Sequence, residues 1–272
     1  MKNMKNIALI FFGVLLIVAC SPKPYSETNK IYKKQVKQFA NIFKRYPLVD
    51  SLGLDYSNQF VGTTNLSMRR PNFVVIHHTA QNSCDQTLKT FTLPRTAVSA
   101  HYVICREGTV YHMLNDLLRA HHAGVSKWGN ATDLNSSSIG IEIDNNGSEP
   151  FSENQMNSLL QLLERLKKTY AIPTANFVGH ADVAPGRKVD PSRQFSWKRL
   201  AEKGFGYWYD TTNVQPPNDF NALQALRVVG YNINNPVIAI QSYKIHFTPQ
   251  DTTHLLTEGD RKILFDLSKK YQ

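Results

Sequence analysis

Apolar residues along the chain change period several times, and each change marks an element. IYKKQVKQFANIFKRY (31–46) places Ile31, Val36, Phe39, Ile42 and Phe43 at helical spacing and predicts a short helix. FVVIHHT (73–79) is a continuous apolar run of strand length. HYVICREGTVYHM (101–113) reads as two strands about a Glu107-Gly108 turn. SSSIGIEIDNNG (136–147) alternates, with Ile139, Ile141 and Ile143 on one face and Gly140, Glu142 and Asp144 on the other. SENQMNSLLQLLERLKKTY (152–170) is amphipathic: Ser152 and Gln155 form a capping-box pattern, and Met156, Leu159, Leu160, Leu163 and Leu166 make one stripe. NFVGH (176–180) predicts a last short strand. Strands interleaved with helices indicate an α/β layered domain. Beyond YDTTNVQPPND (209–219), which reads as a linker, three short helical patterns follow. The first contains Phe220, Leu223 and Leu226 and ends at Gly230, the second opens at Pro236, and the third is capped by Thr257.

The N-terminus carries a different pattern. Lys2 and Lys5 precede an unbroken apolar run over residues 7–19, too short for a comfortable membrane span and suited to export. Ile-Val-Ala-Cys at 17–20 resembles a bacterial lipobox, which implies cleavage before Cys20 and lipidation of its thiol. Ser21 does not resemble an inner-membrane retention signal, so the expected location is the outer membrane, facing the periplasm. SPKPYSETNK (21–30) reads as a flexible tether.

The formal net charge is +10, and +8 without Lys2 and Lys5. Such a protein is drawn to acidic polymers and lipid head groups. The charge is spread along the chain and no nucleic-acid-binding motif is present, so nucleic acid is not an expected partner. Cys84 and Cys105 are the cysteines left after Cys20; an oxidising envelope permits their pairing, and spacing leaves it open.

The candidate chemistry lies at strand ends and in one loop. His77 and His78 close the first strand on opposite faces, and periodicity does not choose between them. Glu142 stands on a strand beside Gly140, which leaves room around it. HADVAPGRKVDPS (180–192) is broken by Pro185, Gly186 and Pro191 into a shaped loop holding His180, Lys188 and Asp190. Catalytic zinc takes three His, Asp or Glu ligands plus an open position. His77, His180 and Asp190 fit that count, with Glu142 as general base and Lys188 as a cation for a developing oxyanion. Together these parts describe a hydrolase of amide bonds. Trp128 is a candidate for stacking on a sugar ring, with core packing as the alternative.

FVVIHHTA, VSAHYVICREGTVYHM, HHAGVSKW, SSIGIEI and GHADVAPGRKVDPS occur in the order found in N-acetylmuramoyl-L-alanine amidases of the amidase-2 type, a superfamily that includes peptidoglycan-recognition proteins and a phage lysozyme. The resemblance covers about residues 60–210. It implies a mixed central sheet flanked by helices, one zinc ion, and cleavage of the amide between N-acetylmuramic acid and L-alanine in peptidoglycan or muropeptides. Carried over by motif, His77, His180 and Asp190 are the ligands, Glu142 the base and Lys188 the oxyanion helper. By the same resemblance His101 and His122 are expected to line the substrate groove, with satisfied structural histidines as the alternative. His121 stands where similar enzymes often carry an aromatic residue. Superfamily members that lack ligands only bind, so a non-catalytic muropeptide-binding lipoprotein is the alternative reading. The tail resembles a three-helix peptidoglycan-binding domain, with a structural appendage as the alternative. The expected organisation is a signal peptide (1–19), lipidated cysteine and extension (20–60), zinc amidase domain (61–210), linker (211–219) and small all-α domain (220–272), in a monomer held at the membrane by its lipid.

Overall fold

The computed structural model describes residues 23–44 and 61–272. The signal-peptide and Cys20 assignments lie outside them. Contacts divide the chain at Leu66 into two units. In the first, helix α1 runs Ser26–Phe43, with Glu27 in its first turn, where an acid favours the helix dipole. It starts five residues earlier than the apolar pattern marks, so Ser26–Lys30 is helix and not a flexible tether.

The second unit is built on five strands: β1 (Phe73–His78), β2 (Tyr102–Ile104), β3 (Val110–His112), β4 (Ser138–Ile143) and β5 (Phe177–Gly179). Their order is β3-β2-β4-β1-β5. β2, β4, β1 and β5 run parallel, and β3 pairs antiparallel with β2. The hairpin between β2 and β3 turns at Gly108, whose φ of 94° suits glycine. Helices α2 (Cys84–Thr92) and α3 (Leu134–Ser137) lie in the connections. α2 opens at Cys84, which is joined by a disulfide to Cys105 at the end of β2. α4 (Glu153–Tyr170) carries the capping box expected from Ser152 and Gln155. Its buried stripe is Met156, Leu159, Leu162, Leu163 and Leu166, while Leu160 is partly buried.

Alternation on the central strands gives the sheet two apolar faces. Val74, Ile76, Ile139, Ile141, Ile143 and Phe177 pack with α4 in one core. Phe73, Val75 and Val178 point the other way, into a second core. That second core is completed by the C-terminal helices α7 (Ala222–Val229), α8 (Pro236–Phe247) and α9 (Glu258–Lys270). All three expected helices form, and Thr257 caps the last of them. The expected boundary at 211–219 does not separate two cores. Leu226, Tyr243 and Leu264 share one cluster with strand residues Val75 and Val178. A helical segment of about fifty residues buries too little surface alone, and here it covers a sheet face. Two short helices, α5 (His180–Val183) and α6 (Trp197–Ala201), flank the loop that follows β5.

Candidate active site

Parallel pairing brings the site residues together. β1 pairs with β4 so that His77 lies opposite Glu142, and with β5 so that Ile76 lies opposite Gly179. His180 therefore follows directly at the carboxyl end of β5, beside His77. In open α/β sheets this end of the strands is where ligands bind. The loop then turns back and delivers Asp190, held by a 2.7 Å hydrogen bond from Ala181 N–H to the Asp190 carbonyl.

Three donor atoms converge. His77 Nδ1, His180 Nδ1 and Asp190 Oδ2 are each 3.0 Å from the other two. All three residues are buried. Donor atoms at that spacing are close enough for His77, His180 and Asp190 to hold one ion at ordinary zinc–nitrogen and zinc–oxygen bond lengths, about 2.0–2.1 Å. Burial, then the neighbouring His180, lowers the His77 pKa to about 4, so the ring is neutral and has a lone pair to offer. Burial pushes the Asp190 carboxyl up, but hydrogen bonds from His180 and His77 outweigh it and hold the group below the ordinary carboxylate range. Two imidazoles and one carboxylate suit a divalent cation.

The second nitrogen of each ring is also engaged. His77 Nε2 lies 3.0 Å from His122 Nδ1, and His122 Nε2 lies 3.1 Å from Ser138 Oγ. Ser138 Oγ in turn donates to the Leu134 carbonyl. His180 Nε2 lies 3.2 Å from the Ala123 carbonyl. With a cation in the triangle, both Nδ1 atoms would offer it their lone pairs, and each Nε2 would carry the proton and donate it outward.

Glu142 shares the face of His77 and is partly exposed. Its Oε2 is buried with no hydrogen-bond partner, an arrangement that a water or substrate group would complete. Burial, then the charge of Asp190, raises its pKa to about 8, while Lys188 opposes the shift. Lys188 itself is exposed on the loop, and its charge is felt at both Glu142 and His77.

Three expected substrate contacts are placed elsewhere. His101 is fully buried, with Nε2 on the Leu118 carbonyl and Nδ1 accepting from Gly140 N–H, so neither nitrogen is open to a ligand. His122 is buried behind His77, and both its nitrogens are engaged. Trp128 is 6% exposed and packs edge-on against Tyr231 in the helical core. Gly140 belongs to this inner layer: a Cβ there would meet the His122 ring at 2.4 Å.

Other residues hold the loop without any sequence signal of their own. His78 Nδ1 accepts from Ser192 N–H at 3.0 Å. Asp182 accepts from Gly179 N–H, His246 Nδ1 and Tyr231 O–H, each at 2.7 Å. Trp197 stacks on His246 with ring centroids 4.0 Å apart. Arg193 donates to the Pro249 and Asp251 carbonyls. The C-terminal helices thus grip both ends of the loop that carries His180 and Asp190.

Residues 67–193 match the family described as N-acetylmuramoyl-L-alanine amidase. The chain is 32% identical over 212 residues to N-acetylmuramoyl-L-alanine amidase AmiD of Escherichia coli strain K12, an alignment covering 66% of this chain and 76% of that protein. The crystal structure of AmpDH3 from Pseudomonas aeruginosa superimposes with a TM-score of 0.69 at 30% identity, covering 80% of this chain and 98% of that one. Escherichia coli AmiD, solved in complex with the substrate anhydro-N-acetylmuramic acid-L-Ala-D-gamma-Glu-L-Lys, superimposes with a TM-score of 0.67 at 28% identity, covering 82% of this chain and 97% of that one.

Proposed function

The chain belongs to the N-acetylmuramoyl-L-alanine amidases of the amidase-2 type, and on that premise we propose that it is a zinc hydrolase of the amide between N-acetylmuramic acid and L-alanine. The substrates are peptidoglycan or its muropeptides. The observation that carries the reading is the 3.0 Å triangle of His77, His180 and Asp190, with Glu142 beside it in strand register. His77, His180 and Asp190 would hold the ion. Zinc at such a site supplies Lewis acidity, making water acidic near neutral pH and polarising a carbonyl.

The chain's own groups do the rest. Glu142 accepts the proton of the attacking water, for which its buried Oε2, free of any protein hydrogen-bond partner, is placed beside the triangle. It then delivers that proton to the nitrogen of the departing L-alanine. Lys188, a cation on a long flexible stem, steadies the negative charge that develops on the carbonyl oxygen. Asp190 and the two imidazoles keep fixed positions because each is held from behind. Structures of relatives bearing muropeptide ligands support a muropeptide as the bound species.

Glu142→Gln tests the assignment of the base. Turnover of purified muropeptides, followed by mass spectrometry, should fall at least about a hundredfold with bound zinc unchanged. Retained turnover with zinc in place would sink that role.

The N-terminal pattern supports export and lipid attachment at Cys20, with the enzyme on the outer membrane facing the periplasm. The intact mass of protein extracted from membranes checks this: a diacylated chain beginning at Cys20 is expected, and an unmodified chain contradicts it.

A further inference from the structure

α1 carries chemistry that amide hydrolysis leaves unused. At about 100° per residue, Ile31, Val36, Phe39, Ile42 and Phe43 fall within an arc of about 140°. Lys30, Lys33, Lys34 and Lys37 fall within an arc of about 100° on the other side. The helix contains one acid, Glu27, which pairs with Lys30 at 2.7 Å. No residue of α1 is buried, and the five apolar side chains are 38–58% exposed. Among the described residues no helix is long and apolar enough to cross a membrane. An apolar stripe opposite a row of lysines, on a helix about 27 Å long, is the pattern of a helix that lies in a bilayer interface.

We propose that α1 lies flat on an anionic phospholipid surface, with Phe39, Ile42, Phe43, Val36 and Ile31 in the acyl boundary and the lysines at the headgroup phosphates. Charge complementarity selects this occupant. Lys33, Lys34 and Lys37 add attraction for acidic lipid, and their long stems let the charged ends reach the phosphates. Position in the chain agrees: α1 begins six residues after Cys20 and seven after the apolar run at 7–19. Stable anchoring takes two signals, and a basic amphipathic helix supplies one independently of any lipid on the chain. The inference goes beyond the amidase reading and does not depend on it.

The test uses the chain from Ser21 to Gln272, which keeps every described residue and lacks Cys20. It is sedimented with phosphatidylcholine vesicles made with and without phosphatidylglycerol. Binding to the anionic vesicles should exceed binding to the neutral ones by roughly tenfold or more, and should weaken as salt is raised. The triple variant Lys33→Glu/Lys34→Glu/Lys37→Glu and the double variant Phe39→Ser/Phe43→Ser should each lose roughly tenfold or more of that binding. Both should keep the parent's thermal midpoint, which separates lost binding from lost folding. Equal binding by parent and variants would place the attraction elsewhere on the chain and overturn the proposal. So would loss in the lysine variant alone, which leaves no inserted face, or no binding by the parent, which leaves the apolar stripe to another partner.

Discussion

His77 and His180 turn Nδ1 to the same point because the opposite nitrogen of each ring is occupied. For His77 the partner is His122, itself held by Ser138, whose hydroxyl donates to the Leu134 carbonyl. Outer partners of this kind set ring orientation, and their loss commonly costs 10–100-fold in metal affinity. Ser138→Ala should therefore weaken zinc binding by about tenfold, measured by competition with a chelating dye; an unchanged affinity would show that His122 needs no such support. Glu142 makes a second residue-scale prediction. Its folded pKa of about 8 lies above the ordinary 4.5, so its contribution to stability is present below pH 4.5 and lost as pH rises through 8. In metal-free protein, Glu142→Gln should match the parent near pH 4.5 and exceed it increasingly to about pH 8, by on the order of 2 kcal/mol, since part of the side chain reaches water. Denaturant titrations across that range check the slope; a flat difference would contradict the burial of the charge. The meeting of His77, His180 and Asp190, with Glu142 beside them, is legible in the sequence because their motifs fix residue type and order together. The places of His101, His122 and Trp128 are not, because a motif does not say which atoms of a side chain are already engaged.

The elements decide which of these residues meet. Parallel pairing of β1 with β4 and β5 puts His77, Glu142 and the start of α5 side by side. The alternation of Ile139, Ile141 and Ile143 against Gly140 and Glu142 is enough to disclose the two faces of β4. It does not disclose that a Cβ at position 140 would strike the His122 ring. Nor does local pattern reveal the contacts of α8, because Asp182 and His246 are 64 residues apart. Asp182 ties β5, α8 and Tyr231 into one buried joint beside His180. Asp182→Ala would strand three buried donors, at a cost of about 3 kcal/mol or more. The expected result is a matching fall in stability to denaturant, with zinc affinity reduced as the loop loosens. A loss under about 1 kcal/mol would mean the joint relaxes without the carboxylate.

Across the whole of residues 67–272, the sheet carries a helical layer on each face, and the site opens at the carboxyl ends of the parallel strands. The tail is legible as three helices from its caps and apolar spacing. Its role as the second layer is not, since sequence shows an apolar stripe without its partner. The same helices that resemble a wall-binding module hold the loop bearing His180 and Asp190. The central claim is that His77, His180 and Asp190 hold a zinc ion with which Glu142 and Lys188 cleave the lactyl–L-alanine amide. The most direct measurement is mass spectrometry of purified muropeptides incubated with the chain from Ser21 to Gln272, before chelation, after it, and after zinc is restored. Free stem peptide and free sugar that vanish on chelation and return with zinc are the predicted result. Intact muropeptide in every sample, or cleavage indifferent to the chelator, would contradict it.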